Sequence, residues 1–315
     1  MQRVIFGLYF CTINVTDTLS NKTLDELLDE ARNLYDKSEN EQAEQLGKYI
    51  LERAIEENNL LAQVHAFNTI GTTYFNRSLY EKALPYYIEA DKILSAQANF
   101  EAAVPTLINL AIIYNQLQQF DKALANYEKC IVLINKSANE KNAMILAQVY
   151  NGIGNVYNEM KKFQQAYENF EKVLEISKQA NIAFGEALAL SNMSSTMLDL
   201  KQPEKAKLLA TEAINIAEQH GLKQLQLVSY RYYAEALMQQ NNFEPAIEVL
   251  EKHFAEIIAL ERKDLIAETY QLLGNAYAAR GNFKKAFQAI TKYTEVSQQI
   301  NSLEKSKIIS ELQLR

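Results

Sequence analysis

Glycine, proline and cysteine are scarce in this sequence, and tryptophan is absent. Among 315 residues there are 9 Gly, 4 Pro and 2 Cys. Sandwiches and barrels need many tight turns that draw on Gly and Pro, so the composition argues against an all-β fold and favours long helices joined by short turns. Cys11 and Cys130 do not make a disulfide framework, and no CxxC motif or Cys/His cluster predicts a metal site.

Positive charge is also in short supply. The net charge is −7, and the acidic residues are spread along the whole chain. A protein that binds nucleic acid needs a clustered basic surface, so we expect no nucleic-acid binding by this chain alone. No segment reaches the roughly 20 apolar residues that a membrane helix needs, so we expect no membrane span.

The first residues, "MQRVIFGLYFCTINVTDTLS", carry one Arg followed by an apolar run from Val4 to Cys11. The run has the length of the apolar region of a secretory signal, but no small-x-small cleavage pattern follows it. Residues 1–22 are therefore interpreted as an N-terminal segment and a candidate signal remnant. The sequence leaves both a cytoplasmic and an exported location open.

The chain does contain an internal repeat. The stretch "IGTTYFNRSLYEKALPYYIEA" (70–90) aligns with residues 110–130, 153–173 and 273–293, and weaker copies lie at 30–50, 193–213 and 233–253. A small residue near the start of each copy falls at positions 31, 71, 111, 154, 194, 234 and 274. Five of these six intervals are forty residues, and the sixth is forty-three, with the extra residues expected in the polar connector 135–143. A fixed period of this length predicts a solenoid.

Each copy has a small residue and an Ala twelve residues later, and the four stronger copies also have a Tyr three residues after the small residue and often an aromatic residue four after the Ala. Two examples are Gly71, Tyr74, Ala83, Tyr87 and Gly154, Tyr157, Ala166, Phe170. This pattern resembles the tetratricopeptide repeat and covers residues 23–300. The resemblance implies an all-α, right-handed α-solenoid of about seven antiparallel helix-turn-helix hairpins, each with a helix A and a helix B. Because the period exceeds the usual 34 residues, we expect longer helices or connectors.

The pair Gly152-x-Gly154 superficially matches a phosphate-binding loop. It lacks a preceding strand and a third glycine, so we expect no nucleotide site and no cofactor. Instead we expect Gly154, like Gly71, Ala111 and Gly274, to leave room where the backbone of helix B comes close.

The resemblance implies that helix A of each hairpin lines a concave groove. Asn151, Asn155 and Asn158 fall on one side of a helix, about a third of a turn from the packing positions. Equivalent positions on the other hairpins are occupied mainly by amides and hydroxyls: His65, Asn68, Thr72, Asn115, Gln148, Ser191, Ser195, Arg231, Gln271 and Asn275. An amide offers donors and an acceptor that match a peptide backbone, so the sequence predicts a groove for a protein or extended peptide. The alternative is that these side chains only solvate an exposed face.

Two details refine this prediction. In peptide-binding members of the family the Asn directly after the small residue contacts the ligand backbone. Here only Asn155 and Asn275 match, which favours the hairpin of Asn155 as the centre of the site. Arg231 is a candidate anchor for a ligand carboxylate.

No catalytic or metal-binding constellation is visible, because His65, His220 and His253 lie on different hairpins and form no metal-ligand pair. We therefore predict that the chain is not an enzyme. Residues 301–315 are amphipathic through Leu303, Ile308, Ile309 and Leu312, and are expected to form a capping helix or the start of a coiled-coil linker.

The C-terminal segment resembles the point at which bacterial tetratricopeptide signalling proteins leave their sensor array, which implies a homodimer through this helix. The sequence thus predicts a protein- or peptide-binding scaffold, acting as a sensory or docking module in bacterial signalling. The alternative is the sensor region of a truncated two-component or cyclic-dinucleotide signalling protein, with a small ligand or none.

Overall fold

The computed structural model describes residues 19–37, 39–96, 100–136 and 142–313. Most of the candidate signal remnant, and Cys11 with it, lies outside these residues. Every regular element of the described residues is an α-helix. The helices are α1 (Leu24–Asp36), α2 (Asn40–Glu56), α3 (Leu60–Asn76), α4 (Tyr80–Ala96), α5 (Phe100–Gln116), α6 (Phe120–Lys136), α7 (Asn142–Glu159), α8 (Phe163–Gln179), α9 (Ala183–Asp199), α10 (Pro203–Gln219), α11 (Lys223–Gln239), α12 (Phe243–Ala259), α13 (Lys263–Ala279) and α14 (Phe283–Gln313).

The repeat period follows from the helix lengths. Helices α2–α6 and α8–α13 each have 17 residues. Most are followed by a three-residue turn, so two helices and two turns take forty residues. Helix α7 has 18 residues, and five residues separate Lys136 from Asn142. The longer helices are as predicted, and of the three extra residues two lie between Lys136 and Asn142 and one lengthens α7.

The turns do not depend on glycine. Among the turn residues that the structure describes, ten adopt a left-handed conformation, and only Gly221 and Gly281 of these are glycines. In the turn after α7, for example, Lys161 has a φ of 57°. The next amide, that of Lys162, donates to the Tyr157 carbonyl at 2.8 Å, which is the hydrogen bond of a Schellman cap. A sequence poor in glycine can therefore still make many helix ends, at a cost of about 1 kcal/mol each.

The chain divides within α5 into two compact units, one ending at Thr106 and the other beginning at Leu107. In unit 1, Leu27, Ala31 and Ile50 of the first hairpin form a buried core with Ala66 of α3. In unit 2, buried clusters recur along the hairpins. Among their members are Phe170 with Met193, Leu227 with Leu265, and Leu250 with Tyr277. The fold is an all-α solenoid of antiparallel helical hairpins, as expected.

The space beside the small residues is filled differently from the prediction. A Cβ atom on Gly154 would lie 2.5 Å from the Phe170 ring, and one on Gly152 would lie 2.3 Å from the Tyr127 ring. Phe170 belongs to helix B of the same hairpin, and Tyr127 to helix B of the preceding one. The expected close approach of two backbones at Gly154 is therefore wrong, because the glycines make room for buried aromatic rings.

Helix α14 is the longest described helix, with 31 residues. It runs unbroken through residue 313, so the predicted C-terminal helix is, up to that point, the continuation of helix B of the seventh hairpin. Phe283 and Phe287 on α14 are largely exposed, whereas Cys130 on α6 is fully buried. None of the helices in the described part is long and apolar enough to cross a membrane.

Candidate functional site

In unit 2, helix A of each of the last four hairpins (α7, α9, α11 and α13) has one side that carries the sequence-predicted positions. We call this surface the helix-A stripe. Spacings of three and four residues keep its members on one side of each helix. The stripe consists of Met144, Gln148, Asn151, Asn155 and Asn158 on α7; Phe184, Leu188, Ser191 and Ser195 on α9; Gln224, Val228, Arg231 and Glu235 on α11; and Asp264, Glu268, Gln271 and Asn275 on α13.

A series of contacts joins these four helices at one repeat position. Asn192 on α9 donates to Asn151 Oδ1 on α7 at 2.8 Å. Ser229 on α11 donates to Ser191 Oγ on α9 at 3.1 Å. Arg231 on α11 places its Nε 3.2 Å from a carboxylate oxygen of Glu268 on α13. Three of the predicted site residues, Asn151, Ser191 and Arg231, therefore hold neighbouring helices together.

Other predicted residues are also engaged within the chain. Asn158 on α7 pairs with Thr196 on α9 at 3.3 Å, and Asn115 on α5 has a buried amide oxygen that accepts no hydrogen bond. In unit 1, Asn68 donates to Thr106 at 3.0 Å, and the Thr72 hydroxyl lies 2.8 Å from that of Tyr87. The hydrogen bonds of Asn158, Asn68 and Thr72 stabilise helix packing, whereas the buried oxygen of Asn115 makes no such contribution.

The remaining predicted residues face solvent. In unit 2, Gln148, Asn155, Gln271 and Asn275 are exposed and Ser195 is half-buried, while His65 in unit 1 is exposed. Most amides of the stripe that an extended ligand could reach in unit 2 are therefore at its two ends, on α7 and on α13, and Gln224 on α11 is an exposed amide between them.

Between these ends lies a cavity of about 520 Å³, which we call the α11 pocket. Its walls come from three neighbouring helices: Phe184 and Leu188 on α9, Val228 and Arg231 on α11, and Asp264 and Glu268 on α13. All six belong to the helix-A stripe. Arg231 is the single one of these six that the sequence predicted, because the predicted set consists mainly of amides and hydroxyls and so contains neither the apolar residues nor the two carboxylates. Phe184 is 54% exposed although it is aromatic.

Arg231 is enclosed by its neighbours. Only 12% of its side chain is exposed, and besides Glu268 it has Glu235 at 3.6 Å. Its guanidinium carbon lies 4.2 Å from the centre of the Tyr232 ring, which is a cation–π distance. Arg231 is thus neither a solvated arginine nor an unoccupied anchor for an anion.

The carboxyl groups around Arg231 have shifted pKa values. Burial raises the pKa of Glu235, an effect that Arg231 offsets in part and that Asp199 and Glu268 reinforce. At the mouth of the pocket, Arg262 forms an ion pair with Asp264, and its hydrogen bond lowers the pKa of the Asp264 carboxyl. Burial thus disfavours the charged form of Glu235, whereas the hydrogen bond from Arg262 favours that of Asp264.

The three histidines are dispersed, on α3, in the turn after α10 and on α12. His253 stacks on Tyr230 with ring centres 3.8 Å apart and hydrogen-bonds to Glu256 at 3.0 Å. Among the residues that the structure describes, no group of three or more His, Cys, Asp or Glu side chains could hold a metal ion.

Comparisons with known proteins agree with the geometry of the fold. Tetratricopeptide-repeat models match residues 101–179, 145–219 and 267–300. No curated protein matches the sequence. The hairpins therefore define an α-helical repeat protein that contains tetratricopeptide repeats within residues 101–219 and 267–300.

Solved structures of the same fold have low sequence identity to the chain. A signal-transduction ATPase from Pyrococcus horikoshii with a tetratricopeptide repeat sensor has a TM-score of 0.64 at 20% identity, over 93% of this chain and 46% of that one. A tetratricopeptide repeat protein from Parabacteroides merdae has a TM-score of 0.60 at 18% identity, over 90% and 98%. A Rap protein complexed with Competence and Sporulation Factor has a TM-score of 0.57 at 14% identity, over 89% and 99%. These likenesses show the fold alone.

Proposed function

We propose that unit 2 binds an extended segment of another protein or peptide on the helix-A stripe, and that the chain acts as a docking or sensory module. The observation that carries this proposal is the α11 pocket, whose volume lies within the range of ligand sites. Its mouth includes Phe184, a large apolar side chain in contact with water. An apolar surface of this kind, rimmed by polar groups, is typical of interaction sites.

The stripe has the parts that recognition of an extended peptide requires. Exposed amides on α7 and α13, such as Asn155 and Asn275, can both donate to and accept from a peptide backbone. The pocket between them can receive one side chain, which supplies specificity. The Rap structure in complex with Competence and Sporulation Factor supports a binding role for this fold.

Selection from a displayed library of 12-residue peptides tests the proposal. We expect the folded chain to enrich a set of peptides that lose binding to Leu188→Lys, because the charged side chain enters the pocket. Leu208→Lys is the matched control, since Leu208 is an exposed Leu on α10, outside the pocket. Failure to enrich any peptide, or equal loss in both variants, would refute the proposal. Circular dichroism verifies that both variants are folded.

A second role, as the sensor region of a longer signalling protein, is favoured by α14. Phe283 and Phe287 are exposed there, whereas the corresponding residues of α12, Phe243 and Ile247, are half-buried and buried beside the next hairpin. We propose that a second copy of the chain covers this face of α14. Sedimentation should then show a dimer that Phe287→Asp dissociates and Leu208→Asp does not. A wild-type monomer at every concentration would exclude this role.

A further inference from the structure

Exposed apolar surface on the helix-A stripe is not confined to the α11 pocket. Met144 on α7 is 65% exposed, and Phe184, forty residues later at the same repeat position on α9, is 54% exposed. The next residue with this spacing, Gln224 on α11, is polar. Two neighbouring helices A therefore expose a large apolar side chain at the same level, one at the α11 pocket and one a single hairpin before it.

The two apolar positions lie one helix apart. Helices α7 and α9 contact each other through the hydrogen bond of Asn192 with Asn151, and helices in contact have axes about 8–10 Å apart. Leu188 and Val228 continue the apolar surface from Phe184 into the pocket between α9 and α11. A ligand that lies across the stripe can thus place one apolar side chain in the pocket and a second on Met144, about one interhelical distance away.

The charged groups of the pocket are paired within the chain. Three cations contribute to its walls, and each has a carboxylate partner: Lys223 with Glu256 at 2.7 Å, Arg231 with Glu268 at 3.2 Å, and Arg262 with Asp264. The Nε atom of Arg231 makes no hydrogen bond, but it is buried away from solvent, so a ligand reaches it only if the surrounding side chains move. The exposed apolar surface is therefore the feature that defines the ligand.

The distance between the two apolar positions suits a polyproline II segment. Such a segment has three residues per turn and rises about 3.1 Å per residue, so side chains at i and i+3 lie on one side, about 9 Å apart. In a β-strand the side chains of one side are spaced at multiples of about 6.6 Å, which fall on either side of the interhelical distance.

The amides around the pocket favour this conformation over a helical ligand. An α-helix would bring residues i and i+7 about 10.5 Å apart, but its main-chain groups are bonded to one another. The main chain of a polyproline II segment has no internal hydrogen bonds and is free to bond to a partner. Gln148 on α7 and Gln224 on α11 are exposed near the two apolar positions, and each can donate to such a main chain and accept from it.

We infer that the α11 pocket and Met144 together bind a polyproline II segment with bulky apolar side chains three positions apart. One of these side chains enters the pocket against Phe184 and Leu188, and the other lies on Met144. This inference rests on the proposed function and narrows it to one class of peptide.

Four fluorescein-labelled 12-residue peptides test the inference, and fluorescence anisotropy measures their binding to the full chain. Three share a Ser/Thr/Gln background and carry at their centre Leu-Pro-Pro-Leu, Pro-Leu-Leu-Pro or Leu-Pro-Pro-Ser, so the first two differ only in the spacing of the same residues. The fourth is an Ala/Gln helix former with Leu at i and i+7. We expect Leu-Pro-Pro-Leu to bind about tenfold more tightly than each of the others, since it alone buries both side chains.

A pair of variants locates the second side chain. Met144→Ser should weaken binding of Leu-Pro-Pro-Leu about tenfold, to the level of Leu-Pro-Pro-Ser. It should leave Leu-Pro-Pro-Ser unaffected, because the single Leu of that peptide occupies the pocket. Leu208→Ser is the matched control at a 69% exposed Leu on α10, and it should change neither peptide's affinity. Circular dichroism verifies that both variants are folded.

The outcomes separate this inference from the proposed function. Equal binding of Leu-Pro-Pro-Leu and Pro-Leu-Leu-Pro would overturn the inference, as would tighter binding of the helical peptide. Equal effects of Met144→Ser and Leu208→Ser would overturn it as well. If the library selection yields pocket-dependent peptides but Leu-Pro-Pro-Leu does not bind, the inference fails and the proposed function stands.

Discussion

At the two ends of the helix-A stripe in unit 2, neighbouring helices A contact each other through chemically different pairs of side chains. Residues 151, 191 and 231 are spaced forty apart and each contacts the next helix A. Asn151 and Ser191 do so through neutral hydrogen bonds, and Arg231 through an ion pair with Glu268. Ser191 and Ser229 are buried, but Glu268 stays half exposed.

This difference indicates how one repeat position can be a buried helix contact in some hairpins and part of a candidate binding site in another. A neutral hydrogen-bonded pair can be buried at little cost, so the helices close over it. An ionised carboxylate loses hydration when it is buried, so the charged pair is more favourable with one partner in contact with water. The α11 pocket lies at the charged end of the stripe.

The largest effect is expected from filling the space beside a glycine at the neutral end. Gly154→Leu would force a side chain into the Phe170 ring and should lower the free energy of unfolding by about 3 kcal/mol. Urea denaturation measures the change. In the control Gly221→Ala, the new Cβ meets open space but the residue keeps a φ of +66°, so the cost should be only about 1 kcal/mol. Equal losses of unfolding free energy in the two variants would show that Gly154 is needed for its backbone conformation rather than for the space it leaves to Phe170.

A smaller loss is expected from removing the charge at the other end. Arg231→Met keeps an unbranched apolar stem but removes the guanidinium group, which leaves Glu235 and Glu268 without their cation. Since both carboxylates reach solvent, the free energy of unfolding should fall by about 1–2 kcal/mol, less than for a fully buried pair. Thermal unfolding measures the loss. High salt should reduce the stability difference between the variant and the wild type. A stability difference that salt leaves unchanged would instead come from lost packing of Arg231 on Tyr232.

The fold could be predicted because its signals are steric and recur. A small residue recurs once in every hairpin, at 31, 71, 111, 154, 194, 234 and 274, so the period predicts both the helices and their number. The spacing of the small residues indicates where space is left between helices, but it does not indicate which side chains fill that space. The aromatic rings beside Gly152 and Gly154 therefore became visible only in the structure.

The site could be predicted only in part, because helical periodicity assigns a residue to a face but not to a partner. Asn151 and Asn155 lie on the same side of α7, yet one is bonded to Asn192 and the other is exposed. The partner is about forty residues away in sequence. Phe184 was missed because an aromatic residue suggests core. Its counterparts Met144, Gln224 and Asp264 are all exposed, and two of them are polar, which is the sequence signal that could have located it.

The neutral end of the stripe offers a direct test of this distinction. Asn151→Ala would leave the Asn192 amide without its acceptor and should cost about 1 kcal/mol in the free energy of unfolding. Asn155→Ala is the matched control on the same helix and should be close to neutral, because Asn155 is exposed. For ligand binding we expect the reverse order, with Asn155→Ala the more damaging. Equal stability losses would mean that the bond between α7 and α9 contributes nothing.

The smallest effect is expected at Glu235, beside Arg231. Burial raises the pKa of this carboxyl, so the folded chain favours its neutral form. A raised pKa contributes stability below the pKa of the unfolded chain, about 4.3, and that contribution is lost as pH rises through the folded value. At neutral pH the charge on Glu235 therefore lowers the stability of the fold. Glu235→Gln removes this charge, and Arg231 still has Glu268 as its ion-pair partner.

We accordingly expect Glu235→Gln to raise the melting temperature slightly at pH 7.5, with a gain that disappears as the pH approaches the unfolded pKa. Scanning calorimetry at several pH values measures this trend. Glu248→Gln, at an exposed position on α12, should show no such pH dependence. If the gain in melting temperature persisted unchanged in acid, the stabilisation would come from the Gln amide itself rather than from removal of the charge. A loss at neutral pH would mean that the attraction of Glu235 to Arg231 outweighs the cost of burying its charge, in which case both ion pairs of Arg231 stabilise the charged end of the stripe.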